Sequence, residues 1–150
     1  MIDGVAVRPL KRIADERGEV RHMLRRDDPH FKGFGEIYFS TAKPGFVKGW
    51  HLHKKMTLNY AVVAGKIHLC LFDAREKSKT RGEFQEMTLG GENYALVTVP
   101  PGVWNGFEAD GDQEAIVANC SDVPHDPVEI VRAAPFVKDI PNRWRAKVGR

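Results

Sequence analysis

Pro44-Gly45-Phe46-Val47-Lys48-Gly49-Trp50-His51-Leu52-His53-Lys54-Lys55 is the most informative stretch of this chain. A glycine, five residues and then His-x-His set two imidazoles two positions apart. In a β-strand that spacing turns both rings to one face. Neutral imidazole is a common metal ligand and a proton carrier near pH 7. The pair therefore raises two questions, whether it holds a metal and whether it moves a proton. Two polar residues on a solvated strand face would show the same spacing. The flanking residues weigh against that plain reading.

Working outward from this stretch, the chain reads as strands and turns. Residues 36–41 form a short β-type run ahead of Lys43-Pro44-Gly45, and 47–51 form the next. Residues 58–64 are apolar and β-branched, and Gly65 ends them. Along 66–73, Ile67, Leu69 and Leu71 alternate with His68, Cys70 and Phe72. Residues 84–89 run into Gly90-Gly91, 94–99 stop at Pro100-Pro101-Gly102, and 113–119 close the series. No stretch has the long amphipathic pattern of a helix. Short strands between frequent turns predict an all-β sandwich or barrel, a single domain over 1–150, with room for a small-molecule cavity between its sheets. The segment 135–144 is expected as an irregular tail lying on the barrel.

Composition narrows the function. The chain has 150 residues, enough for a core without disulfide staples. Its net charge of +3 is too mild to argue for nucleic acid, and the basic residues near the N-terminus alternate with Asp15, Glu16, Glu19, Asp27 and Asp28. Cys70 and Cys120 have no zinc-type spacing. No apolar run would span a membrane, and the first residues do not begin a secretory signal. The expectation is a cytoplasmic protein with free thiols.

The spacing of Gly45, His51, His53 and Gly65, with Pro100 and Gly102 downstream, resembles the two-part signature of the cupin superfamily. That resemblance implies a cupin-type jelly roll. It does not imply a metal. Leu58 stands where the metal-binding glutamate would fall and Asn105 where the third histidine would. Two imidazoles alone are a weak pair for iron, manganese or zinc, so no metal and no other cofactor is expected.

A closer resemblance, over about Val7 to Trp144, is to the dTDP-4-dehydrorhamnose 3,5-epimerase family. It rests on the order of Asp15-Glu16-Arg17-Gly18, Lys48-Gly49-Trp50-His51, Phe72-Asp73-Ala74-Arg75 with Ser78, Thr80 and Gly82, and Val99-Pro100-Pro101-Gly102-Val103-Trp104-Asn105-Gly106-Phe107. The resemblance implies proton transfer beside the ketone of a nucleotide-linked 4-keto-6-deoxy sugar. It maps the base to His51 and the diphosphate contacts to Arg17 and Lys48. It implies a homodimer.

Several family positions are changed. The lysine near the enolate falls at Leu58, and the histidine of the downstream motif falls at Asn105. The tyrosine acid would lie near Ser121 to Val123, where there is none, and no tyrosine follows Tyr94. Ala134 stands where an aspartate would orient the base. Around Lys48-Gly49-Trp50-His51-Leu52-His53-Lys54 the chain also resembles cupin-type sugar 3,4-ketoisomerases, whose proton shift on one face needs no opposite-face acid. The expected site is thus His51 and His53 as catalytic groups, with Arg17, Lys48, Trp50 and Asn105 binding substrate. The activity expected is epimerisation or isomerisation for surface polysaccharide or glycoconjugate synthesis. Two alternatives stand beside it. One is a non-catalytic sugar-nucleotide-binding module. The other is a metal-dependent cupin enzyme that recruits a ligand such as His68.

Overall fold

A computed structural model describes residues 1–149, and Arg150, the last residue of the domain expected over 1–150, lies outside the described residues. The strands are β1 (Ala6–Pro9), β2 (Arg12–Asp15), β3 (Gly18–Arg21), β4 (Glu36–Ala42), β5 (Phe46–His53), β6 (Leu58–Ala64) and β7 (Lys66–Asp73). They continue as β8 (Phe84–Gly90), β9 (Ala95–Val99), β10 (Val103–Ala109), β11 (Ala115–Ser121), β12 (Ile130–Arg132) and β13 (Val148–Gly149). One sheet has the order β1-β9-β6-β11-β4 and the other β12-β5-β10-β7-β8, with β13 beside β5. All pairings are antiparallel except β13 with β5. The hairpin β2-β3 stands apart from both sheets. This is the β-sandwich jelly roll expected.

The strand residues explain the layering. On β7, Ile67, Leu69 and Leu71 enter the core between the sheets, against Leu58, Val97, Val99 and Val117. His68, Cys70 and Phe72 take the other face. That face is covered as well, because the irregular tail lays Ile140 and Trp144 over it, with Val47, Trp50 and Cys70 beneath. The turn from β6 to β7 needs Gly65. Its φ is +68°, and a Cβ there would sit 2.8 Å from the carbonyl oxygen of Glu114.

The core does not fill the sandwich evenly. Aliphatic side chains pack it around β9, β6, β7 and β8. Toward the edge strands β4 and β12 the inward residues become polar or aromatic, and a cavity opens between the sheets. Asp73 anchors the long β7-β8 connection at the opposite edge. Its buried carboxylate accepts bonds from the Arg75 guanidinium at 2.8 Å and from the hydroxyls of Ser78 (2.5 Å) and Thr80 (2.6 Å). These groups form a structural anchor.

Candidate active site

The cavity measures about 260 Å³. One wall is sheet two, with Lys48, His51 and His53 from β5, Phe107 from β10 and Arg132 from β12. The facing wall is sheet one, with Tyr38 and Ser40 from β4, Tyr60 from β6 and Asn119 from β11. His125 lies at the rim on the β11-β12 connection.

Lys48 and His51 are three apart, so a regular strand would turn them to opposite faces. A bulge resolves this. Asn105 pairs with His51 and Phe107 with Lys48, so β5 carries one more residue than β10 between those pairs. Lys48, His51 and His53 consequently share the cavity wall. The extra residue also explains Gly49 and Gly106. The strands approach so closely that a Cβ on either glycine would lie 3.0 Å from the Cα of the other.

Trp50 directly precedes His51, so strand alternation turns it outward, away from the cavity, which corrects its expected role in substrate binding. Trp50 is 0% exposed, packed 4.6 Å from Trp144 between ring centroids, and its indole N–H donates to the carbonyl of Pro135 at 3.1 Å. It holds the tail to the sheet. Arg17 is also not in the cavity of its own chain. It sits on the turn of the β2-β3 hairpin with its side chain 83% exposed, and its guanidinium pairs with Asp15 at 2.6 Å. Asn105 is buried between the two sheets, beside the cavity rather than lining it. Its Nδ2 donates to the His51 carbonyl at 3.0 Å and its Oδ1 accepts the Tyr60 hydroxyl at 3.0 Å. It links the two walls, so any effect on a ligand passes through those neighbours.

His51 is mostly buried and has a pKa lowered to about 4, by burial first and then by Arg132, His53 and Lys48. The ring is neutral at pH 7 and free to accept a proton. Among the described residues no side chain hydrogen-bonds it. His53 is placed differently, for its Nδ1 bonds the carboxylate of the buried Glu129. Burial alone would raise the pKa of Glu129. The His53 bond and the Lys55 and Met56 amides at 3.0 and 3.2 Å outweigh that and hold it low. Lys48 donates to Ser40 Oγ and to the Thr41 carbonyl, and burial lowers its pKa.

Tyr38, Tyr60, Asn119, Glu129 and Arg132 were not singled out from the sequence. Tyr38 and Ser40 alternate on a strand whose neighbours Ile37 and Phe39 are apolar and exposed, which obscures the inward face. Searching for a tyrosine after Tyr94 overlooked two phenols supplied by earlier strands. The absence of phenols near Ser121 therefore does not leave the facing wall without proton donors.

The cavity does not fit a cupin-type metal. Leu58 is in the apolar core and Asn105 bonds its neighbours through both amide atoms, so two of the four ligand positions offer nothing to a metal. His68 cannot join this site. It lies on the outer face of sheet two, bonded to Glu108 at 2.8 Å and Glu86 at 2.9 Å. Both of its ring nitrogens are satisfied there, in a buried position.

A family profile described as dTDP-4-dehydrorhamnose 3,5-epimerase matches residues 1–141. The spore coat polysaccharide biosynthesis protein SpsL of Bacillus subtilis is 32% identical over 127 residues, 85% of this chain and 84% of that protein. The probable low-salt glycan biosynthesis epimerase Agl13 of Haloferax volcanii is 33% identical over 120 residues, 79% of this chain and 77% of that one. The crystal structure of a dTDP sugar isomerase from Desulfovibrio desulfuricans superposes with a TM-score of 0.91 at 48% identity, covering 93% of this chain and 90% of that one.

Proposed function

Since the chain belongs to the dTDP-4-dehydrorhamnose 3,5-epimerase family, we propose that it epimerises or isomerises a nucleoside-diphosphate-linked 4-keto-6-deoxy sugar for surface polysaccharide or glycoconjugate synthesis, lipopolysaccharide included. The observation that carries this reading is His51. A neutral imidazole, with no side-chain bond among the described residues, faces a cavity flanked by Lys48 and Arg132. His51 takes the proton from the carbon beside the ketone, and the electron pair passes to the ketone oxygen as an enolate. Lys48 and Arg132 supply the positive charge that stabilises an enolate or meets the diphosphate. Those same cations hold down the pKa of His51. Negative charge arriving on them raises the basicity of the ring when substrate is in place.

His53, with its ring fixed by Glu129, is the second acid–base group on that wall. At about 260 Å³ the cavity admits a sugar ring. It is smaller than pockets that enclose larger ligands, which run from about 300 Å³ upward, so the nucleotide lies along the rim. Asn105 contributes through Tyr60. In the cytoplasmic homodimer of this proposal, Arg17 contributes from the second copy.

The binding-module alternative draws support from one observation, the absence of a carboxylate on His51 among the described residues. Calorimetry with dTDP tests the ligand class. Binding is expected, weakening as salt rises and lost or much reduced in Lys48→Ala plus Arg132→Ala. No binding at low salt, or binding indifferent to both substitutions, overturns the nucleotide-sugar reading.

A further inference from the structure

We infer that Tyr38 is the proton donor on the wall opposite His51, aimed into the cavity by Asn119, and that Tyr60 beside it is not. This rests on the proton-transfer reading above and names the group that would complete an inversion.

The assignment comes from following each hydroxyl proton. Asn119 Oδ1 accepts the backbone N–H of Asn59 at 2.9 Å. A backbone amide can only donate, so the Asn119 side chain is fixed with its oxygen toward Asn59. Its Nδ2 must then donate to the Tyr38 hydroxyl, 2.9 Å away. Tyr38 oxygen is thereby the acceptor, and its own proton has no acceptor among the described residues. Tyr38 and Asn119 are directly paired across β4 and β11, so the strand register holds the contact.

Tyr60 is the opposite case. Asn105 Nδ2 donates to the His51 carbonyl, which can only accept, so Asn105 Oδ1 faces Tyr60. Tyr60 gives its proton to that oxygen. The two phenols line one cavity, yet one has a proton to offer and the other has spent it. Their surroundings agree. Tyr38 is 38% exposed and can be reloaded from water, whereas Tyr60 is buried. Burial raises the pKa of Tyr38 and the Asn119 bond works against that rise. Tyr60 is raised well above the ordinary value with no such relief.

The step balances without a cofactor. The C–H bond beside the ketone breaks, its proton goes to the His51 ring, and its electron pair forms the enolate. The enolate carbon then takes the Tyr38 phenolic proton on the other face, restoring the ketone and leaving phenolate. Water at the rim returns a proton to Tyr38 and removes one from His51. Each inversion thus places one solvent hydrogen on carbon.

The test uses the full chain with dTDP-4-keto-6-deoxyglucose in deuterated water, with NMR following both deuterium entry and configuration at C3 and C5. Tyr38→Phe should cut inversion by about 100-fold or more, the usual worth of a positioned acid. Deuterium entry with retained configuration should persist in that variant, because His51 is intact. Tyr60→Phe should lower inversion by less than about tenfold, since it removes an orienting bond rather than the donor. Inversion by Tyr38→Phe at the wild-type rate, or its loss in Tyr60→Phe instead, overturns the assignment while leaving the proton-transfer reading in place. Wild type that exchanges deuterium but never inverts overturns it also. Wild type that exchanges nothing removes the proton-transfer reading, and the assignment with it.

Discussion

Replacing His51 by asparagine should remove a defined part of the acid sensitivity of the fold. His51 has a pKa of about 4 in the folded chain, against about 6.5 for an unfolded histidine. The unfolded chain therefore binds this proton first as pH falls. The stability involved is fully present above about pH 6.5, lost progressively below it, and gone by about pH 4. Between pH 7 and pH 5 the linkage relation gives a loss of up to about 2 kcal/mol from this group. Other groups titrate over the same range, so the informative quantity is the difference between wild type and His51→Asn. Urea unfolding at both pH values should show wild type losing more stability than the variant by up to that amount. Adding dTDP should raise the His51 pKa, read by NMR titration of the ring, because the anion offsets Lys48 and Arg132. Equal acid sensitivity in the two proteins, or a free-protein pKa near 6.5, would refute the electrostatic description of the site.

Trp50→Phe should cost stability and leave dTDP binding unchanged. The Pro135 carbonyl keeps its bond from Trp144 at 2.9 Å, so no acceptor is orphaned. The loss is then about 1–2 kcal/mol, a hydrogen bond plus some ring contact, or a few degrees of Tm. Weaker dTDP binding with an unchanged Tm would return Trp50 to the binding site. His68→Gln should act with the opposite pH sign to His51. Bonding to Glu108, set against its burial, together with bonding to Glu86, raises the His68 pKa, so its contribution is full below the unfolded pKa and fades as pH rises through the folded one. Wild type should exceed His68→Gln in stability by more at about pH 6 than at about pH 9, and the reverse order in urea unfolding would contradict the outer-face ion cluster.

The sheets were legible because their strands carry the apolar residues that bury. Residues 58–64 and 66–73 coincide with β6 and β7. Strand β10 was not read as a strand, for Gly106 and the preceding Pro-Pro-Gly look like a turn. Gly106 is there because β5 passes so close. His51 and His53 were legible from type and spacing, and Lys48 only from its match to the family motif. Trp50 was misplaced although it directly precedes His51 and plain alternation turns it to the other face; the one-residue bulge acts on Lys48, bringing it to the His51 face, and no local signal announces it. Glu129 and Asn119 owe their roles to partners 76 and 81 residues away. Tertiary pairing alone brings them together.

The central claim is that His51 removes a proton from the carbon beside the ketone. Its most direct test is the rate of deuterium entry into dTDP-4-keto-6-deoxyglucose in deuterated water, compared between wild type and His51→Asn. Wild type should incorporate deuterium, and His51→Asn should do so at least about 100-fold more slowly while still binding dTDP. Exchange by His51→Asn at the wild-type rate would show that another group is the base.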